Sequence, residues 1–379
     1  MRARIVMAAI GVLILTGVLV RLAGRDGANR RSGAPALESR ADPGIGANAA
    51  MPSNAAVPTA GTGPAAGTNG FASLSRESGD GHWLARLFDE SGETPPLPPE
   101  VIEQWLAAGR TNAADLLALR QAGAGEDYLR LALAYFPDDP RVLVSASGLS
   151  DGPEAKRERL DRLKAAAPDN ALADYLSARD HFQQGRLEEA IADLAAANGK
   201  ARFDDYVLDA MLTTEELYLQ AGRSAAEAKA LGTATAHLPH LAQLKGLAQD
   251  VAALQTRYLE AGDPAAAEQL ARYGLRLGEQ LTVGEGSHTL IGQLVGTAVE
   301  RIVLKPLDPD RAYEFLPGTV NEYVVQLDQR RAAARENGRV FDRWLETATE
   351  AEVTSYFDRF KVYGESEAMN WVRQRQGQP

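Results

Sequence analysis

Five histidines and a scatter of neighbouring acids are the side chains whose spacing invites a chemical reading. His237 and His240, in the run HLPH, stand three apart. On a helix that spacing would let two imidazoles reach one metal ion. Pro239 between them disfavours regular helix and no third ligand stands nearby, so both read as turn or cap residues. His288 lies in GEGSHTLIG (Gly284–Gly292), whose glycine spacing suggests a loop that cradles phosphate. A helical pattern precedes it and no lysine follows, so Ser287 reads instead as the cap of the next helix. The adjacent acids of FDDY (Phe203–Tyr206) read as caps or a solvated face, because a catalytic acid pair is defined by separation in space. G-x-S-x-G, H-E-x-x-H and calcium-loop patterns do not occur. With no cysteine, thiolate catalysis, disulfides and cysteine zinc sites are excluded. The residues thus imply no catalytic group, no metal site and no cofactor.

The elements that would position any such group are helices. Hydrophobic residues are 45% of the 379 and charged residues 24%, enough to bury a core. Aromatics are only 6% and alanine is abundant, which suits closely packed helices better than sheets. A net charge of −11 argues against a nucleic-acid partner, which requires a basic surface. Leu247, Val251, Leu254 and Tyr258 recur at helical steps, and Gly262 then ends the helix. Asp263 and Pro264 restart the next one. YLQAG (Tyr218–Gly222) and YLEAG (Tyr258–Gly262) repeat forty residues apart, and HFQQG ends at Gly185. Such a period predicts helical hairpins that must stack on neighbours, since one hairpin buries too little to offset its ordering.

The N-terminal part differs. An uncharged run from Ile5 to Val20, extended by Leu22 and Ala23 if Arg21 snorkels, predicts a membrane anchor over residues 1–24. A cleaved signal peptide is the rival, but no small-x-small site follows the run. The arginine-bearing leading tail would stay cytoplasmic, giving a single pass of the inner membrane through residues 5–23, with the body outside the cytoplasm. Residues 25–80 are rich in Gly, Ala and Pro and predict a disordered linker. Its ~55 residues of coil would hold the body roughly 40 Å from the membrane. TPPLPP (Thr94–Pro99) reads as a stiff entry to the first helix. Helical repeats are expected over 81–286 and a C-terminal helical region over 287–379. There Trp344, Tyr356, Phe357, Phe360 and Trp371 read as a terminal cap, with a partner-binding patch as the alternative.

One stretch resembles a known family. Ala167–Ala197 is similar to a tetratricopeptide repeat: Pro168 and Asp169 match its inter-repeat turn, Ala178, Ala190 and Ala197 its small contact residues, and Gly185 its turn glycine. FPDDPRVL (Phe136–Leu143) resembles an earlier such turn. The later units depart from the family at Glu215 and Gln255, where it has small residues. His181 occupies a position where the family often has an aromatic, and so reads as core. The resemblance implies an all-α fold, an α-solenoid of stacked antiparallel hairpins. It further implies a scaffold or adaptor whose concave face would hold a protein or peptide through Tyr175, Arg179, Phe182 and Gln183. The alternative is an envelope enzyme with an α-superhelical body acting on cell-wall glycan.

Overall fold

The computed structural model describes residues 96–282 and 289–377, together with Trp83, Leu87 and Thr94. The expected anchor, the linker and the GEGSH segment with Ser287 and His288 lie outside the described residues. The chain is all-α. Among the described residues the β-type pairings are two isolated bridges, Asn170–Arg202 and Ala312–Thr319. No helix among them is long and apolar enough to cross a membrane.

The helices run in order as α1 (Pro99–Ala107), α2 (Ala113–Gln121), α3 (Asp127–Tyr135), α4 (Pro140–Ser145) and α5 (Pro153–Ala166). Then come α6 (Ala171–Gln183), α7 (Leu187–Asn198), α8 (Val207–Gln220), α9 (Ala225–Ala234) and α10 (Pro239–Glu260). The remainder are α11 (Pro264–Thr282), α12 (Leu290–Leu304), α13 (Val320–Leu345), α14 (Glu350–Tyr363) and α15 (Glu365–Arg375). Starts are written in the sequence. Asn112, Ser224, Thr319 and Thr349 each form a reciprocal capping box with the acid three residues on. At α12 the cap is Thr289, whose Oγ1 accepts from Gly292 N at 3.1 Å, so the role expected for Ser287 falls two residues later.

The repeated pentapeptide is a helix stop. Gly185, Gly222 and Gly262 have φ of +73°, +80° and +77°. The N–H after each glycine donates to a carbonyl five residues back: Arg186 to His181 at 2.9 Å, Arg223 to Tyr218 at 3.1 Å, Asp263 to Tyr258 at 2.8 Å. This bond closes the last turn and requires the left-handed glycine.

The helices pair across these turns as α6–α7, α8–α9 and α10–α11. Contacts also join segments distant in the chain: α2 packs on α8, α6 on α10, and α9 on α14. One core gathers α4–α7 with α10–α12 around Leu172, Leu176, Leu247 and Val299. A second joins the N-terminal segment, α8, α9 and α13–α15 through Trp83, Trp105, Leu217, Trp344 and Tyr356. The C-terminal aromatics are therefore packing groups: Phe341 and Tyr356 rings lie 5.0 Å apart, and Trp344 meets Trp371 edge-on at 6.1 Å. The two positions that departed from small residues find polar partners instead. Gln255 Nε2 donates to Ala267 O at 3.3 Å, and Glu215 pairs with Lys229 at 3.0 Å and with Lys361.

Candidate functional site

The sequence-expected face of α6 is largely taken up by helix packing. Tyr175 is fully buried, and its hydroxyl donates to Gln280 Oε1 at 2.8 Å. Burial pushes its phenol well above the usual value. Arg179 pairs with Asp250 of α10, with its guanidinium laid over Gly246. Phe182 is half-buried against the same core. Gln183 is exposed and accepts from Lys156 Nζ at 2.9 Å. The reason is the long α10, which lies along α6 and covers the face that a shorter hairpin would leave open. Three of the four residues thus serve the α6 contacts, and Gln183 alone points outward.

The polar network beside them is structural in its bonding. Ser177 Oγ donates to Asp193, and His181 Nε2 lies 3.3 Å from Arg157 Nη1. A guanidinium only donates, so Nε2 accepts there and the serine proton goes to the carboxylate, not to the imidazole. Burial, with Arg157 and Arg186 close by, holds His181 below the ordinary histidine range and therefore neutral. The arrangement lacks the serine–imidazole bond of an activated nucleophile.

A cleft opens instead where two motifs from distant parts of the chain meet. The FDDY segment and the HLPH segment face each other, with α2 and α4 forming the other walls. His240, in the first turn of α10 and 1% exposed, brings Nε2 to 3.2 Å from Asp205 Oδ2. Exposed His237 stands at the rim, with Nδ1 3.1 Å from Thr235 O; a carbonyl can only accept, so Nδ1 carries the proton there. Asp209 and Tyr206 line the same cleft, with Leu117, Val144 and Pro239 as apolar wall. The enclosed space is about 20 Å³, room for a single water-sized group or the tip of one side chain.

Two local devices hold this geometry. Asp139 caps α4, accepting from Arg141 N at 2.9 Å, and also takes Arg141 Nε at 3.0 Å and Nη2 at 2.5 Å. Burial would raise the Asp139 carboxyl, but the Arg141 bonds and charge outweigh it and hold it below the usual range. The second device is Asn170, the cap of α6. Its Oδ1 accepts from Leu172 N and Asp204 N, while Nδ2 donates to Asp204 O at 2.7 Å and lies 3.3 Å from Tyr206 Oη. Asp204 Oδ1 then accepts from Tyr206 N at 2.9 Å, and Asp205 Oδ1 from Val207 N at 3.1 Å. Stapled this way, Tyr206 takes φ +59°, the one left-handed residue other than glycine among those described. That conformation costs on the order of 1–2 kcal/mol for a side chain with a Cβ. Stored backbone strain beside a lined cleft is characteristic of functional positions.

Both histidines and both acids of FDDY were visible as motifs; their meeting was not, because it depends on how α10 returns to the loop before α8. Arg141 and Asp209 carried no signal beyond their charge. Among the described residues no group of three or more metal-ligating side chains gathers. Comparison with family models, with curated proteins and with solved structures returns no match.

Proposed function

We infer that the chain is a membrane-tethered helical-repeat scaffold that binds a protein or peptide partner. In this reading the glycine-closed hairpins are tetratricopeptide-like units of an α-solenoid. The apolar run over residues 5–23 is the single pass that fixes the chain to the inner membrane, and residues 25–80 are the disordered linker giving the body reach. The body stands outside the cytoplasm.

The observation that carries the reading is the cleft bounded by Asp205, Tyr206, Asp209 and His240. It is small, part apolar and part charged, which suits one anchoring side chain of a partner. Its charge selects the kind. Arg141 directs two nitrogens at Asp139 and is also within the electrostatic reach of Asp209, while Asp209 itself lies exposed and lines the cleft with Asp205, so the lining carries more acid than base. A lysine or arginine from the partner fits that balance. Action on glycan has less support. Burial raises the carboxyls of Asp115, Glu300 and Glu365, but each is hydrogen-bonded within helix packing and none lines the cleft.

The test is partner recovery from membranes with the double variant Asp205→Asn and Asp209→Asn. Both changes keep size and remove charge, and the amide oxygen can still accept from Val207 N at position 205. Loss of recovery with helicity and melting intact supports the reading; unchanged recovery removes this cleft from it.

A further inference from the structure

α13 carries an arginine at every fourth position: Arg331, Arg335, Arg339 and Arg343. On a helix, steps of four drift by about 40° each, so the four side chains form a gently winding row roughly 18 Å long. All four are exposed. Arg331 and Arg335 have no ion pair among the described residues, and a single carboxylate, Glu336, serves both Arg339 at 3.0 Å and Arg343 at 3.4 Å. Of the other acids of this helix and its caps, Glu322 serves the Thr319 capping box, Asp328 pairs with Arg301 and Asp342 is buried, leaving Glu346 after the last arginine. The row of four arginines thus keeps a net positive charge on a protein whose net charge is −11.

Beyond the two bonds to Glu336, this arrangement does not serve the fold. Like charges four apart on a helix repel and weaken it. The helix is held at its two ends, by Leu327 in the core shared with α11 and α12 and by Val340 and Trp344 in the core shared with α14 and α15. Between them only Ala334 is buried. Between the arginines Ala332 and Ala333 are short and exposed, and Val325, 56% exposed, lies six residues before the row begins.

We propose that the arginine row docks on an anionic phospholipid surface and sets which side of the body faces the membrane. The inference rests on the reading of residues 5–23 as a membrane anchor. An acidic peptide is the other partner that a row of arginines can take, and the tether favours the membrane over it. A bare row of charges binds weakly to a free ligand, but a tether raises the local concentration of a membrane enough for weak attraction to hold. Arginine also suits the phosphodiester headgroup, whose oxygens match the guanidinium fork. The remaining acidic surface would be repelled by the same lipid, so docking through this face is oriented.

The chain has no cysteine, so Ala332→Cys in the full-length protein gives one attachment point for a donor dye. The protein is reconstituted into vesicles of phosphatidylcholine alone, or of phosphatidylcholine with phosphatidylglycerol, each with an acceptor on the headgroups. Energy transfer from position 332 is expected to be higher in the anionic vesicles. It should fall at about 1 M salt, where the screening length is about 3 Å. It should also be lost when Arg331, Arg335, Arg339 and Arg343 are all changed to Gln, with helicity unchanged, while a dye at Glu188→Cys on α7 reports no such gain. Equal transfer in both vesicles, or no loss in the quadruple variant, overturns the proposal. So does a response to poly-glutamate without a response to lipid. Failure of the anchor reads differently: the protein would then not float with phosphatidylcholine vesicles at all, and high salt would release it from the anionic ones.

Discussion

Replacing Asn170 with alanine should cost several times what an ordinary cap costs. Asn170 is 1% exposed and bonds in two directions. Losing the cap of α6 at Leu172 N removes about 1 kcal/mol. The same change strands Asp204 N and Asp204 O, which the amide bonded at 3.0 and 2.7 Å. Each partly buried backbone group left without a partner costs about 1 kcal/mol or more. The total is about 3 kcal/mol. Asn112→Ala is the internal control: it also removes a cap, of α2 through Asp115 N at 3.0 Å, but from an exposed site with no second partner, and should cost about 1 kcal/mol. Urea unfolding of the two variants measures the difference. Hydrogen exchange over residues 202–210 should show the second effect, because the left-handed turn at Tyr206 loses its staple and relaxes. Equal destabilisation by the two substitutions, or unchanged protection over that loop, would refute the claim that Asn170 holds the cleft's geometry.

Gly262→Val should lower stability by more than ~1 kcal/mol. The φ of +77° is the whole cause, since a Cβ there meets no atom within 4 Å; a neutral effect on thermal melting would show that the helix stop tolerates a β-branched residue. Glu365 offers a pH test. Burial raises its carboxyl above the unfolded-chain value, against the pull of Leu290 N–H at 2.6 Å and the Tyr356 hydroxyl at 3.4 Å. The folded state then holds the proton more tightly, so its contribution is complete below the ordinary glutamate range and is lost as pH rises through the raised value. Glu365→Gln keeps one acceptor, enough for Leu290 N–H, and removes the titration. Its melting temperature relative to wild type should therefore climb between pH 4 and pH 7, and a constant difference would contradict the assignment.

Local signals in the sequence were strong because they reflect local physics. The pentapeptide glycines announced left-handed helix stops, and Asp263 caps its helix as its type suggested, accepting from Ala266 N at 3.0 Å. What could not be seen was which helix lies on which. The stripe of Tyr175 and Phe182 is compatible with a groove or with a core. The choice is made by α10, whose Gly246 lets Arg179 lie flat against its backbone. Likewise Asp205 and His240 each read as a cap when taken alone. Their approach to 3.2 Å arises from long-range packing that no spacing rule encodes. The arginine row of α13 was written plainly at every fourth residue, but its exposure depends on the two cores that grip the helix only at its ends.

The most direct test of the scaffold reading is site-specific photo-crosslinking in intact membranes. A photoreactive side chain replaces His237, which stands exposed at the rim of the cleft and is not buried in either core. The account predicts one discrete crosslinked partner. That adduct should be abolished by Asp205→Asn with Asp209→Asn and be absent when the same group replaces exposed Glu188 on α7. No adduct at His237, or the same adduct from both positions regardless of the two aspartates, would contradict it.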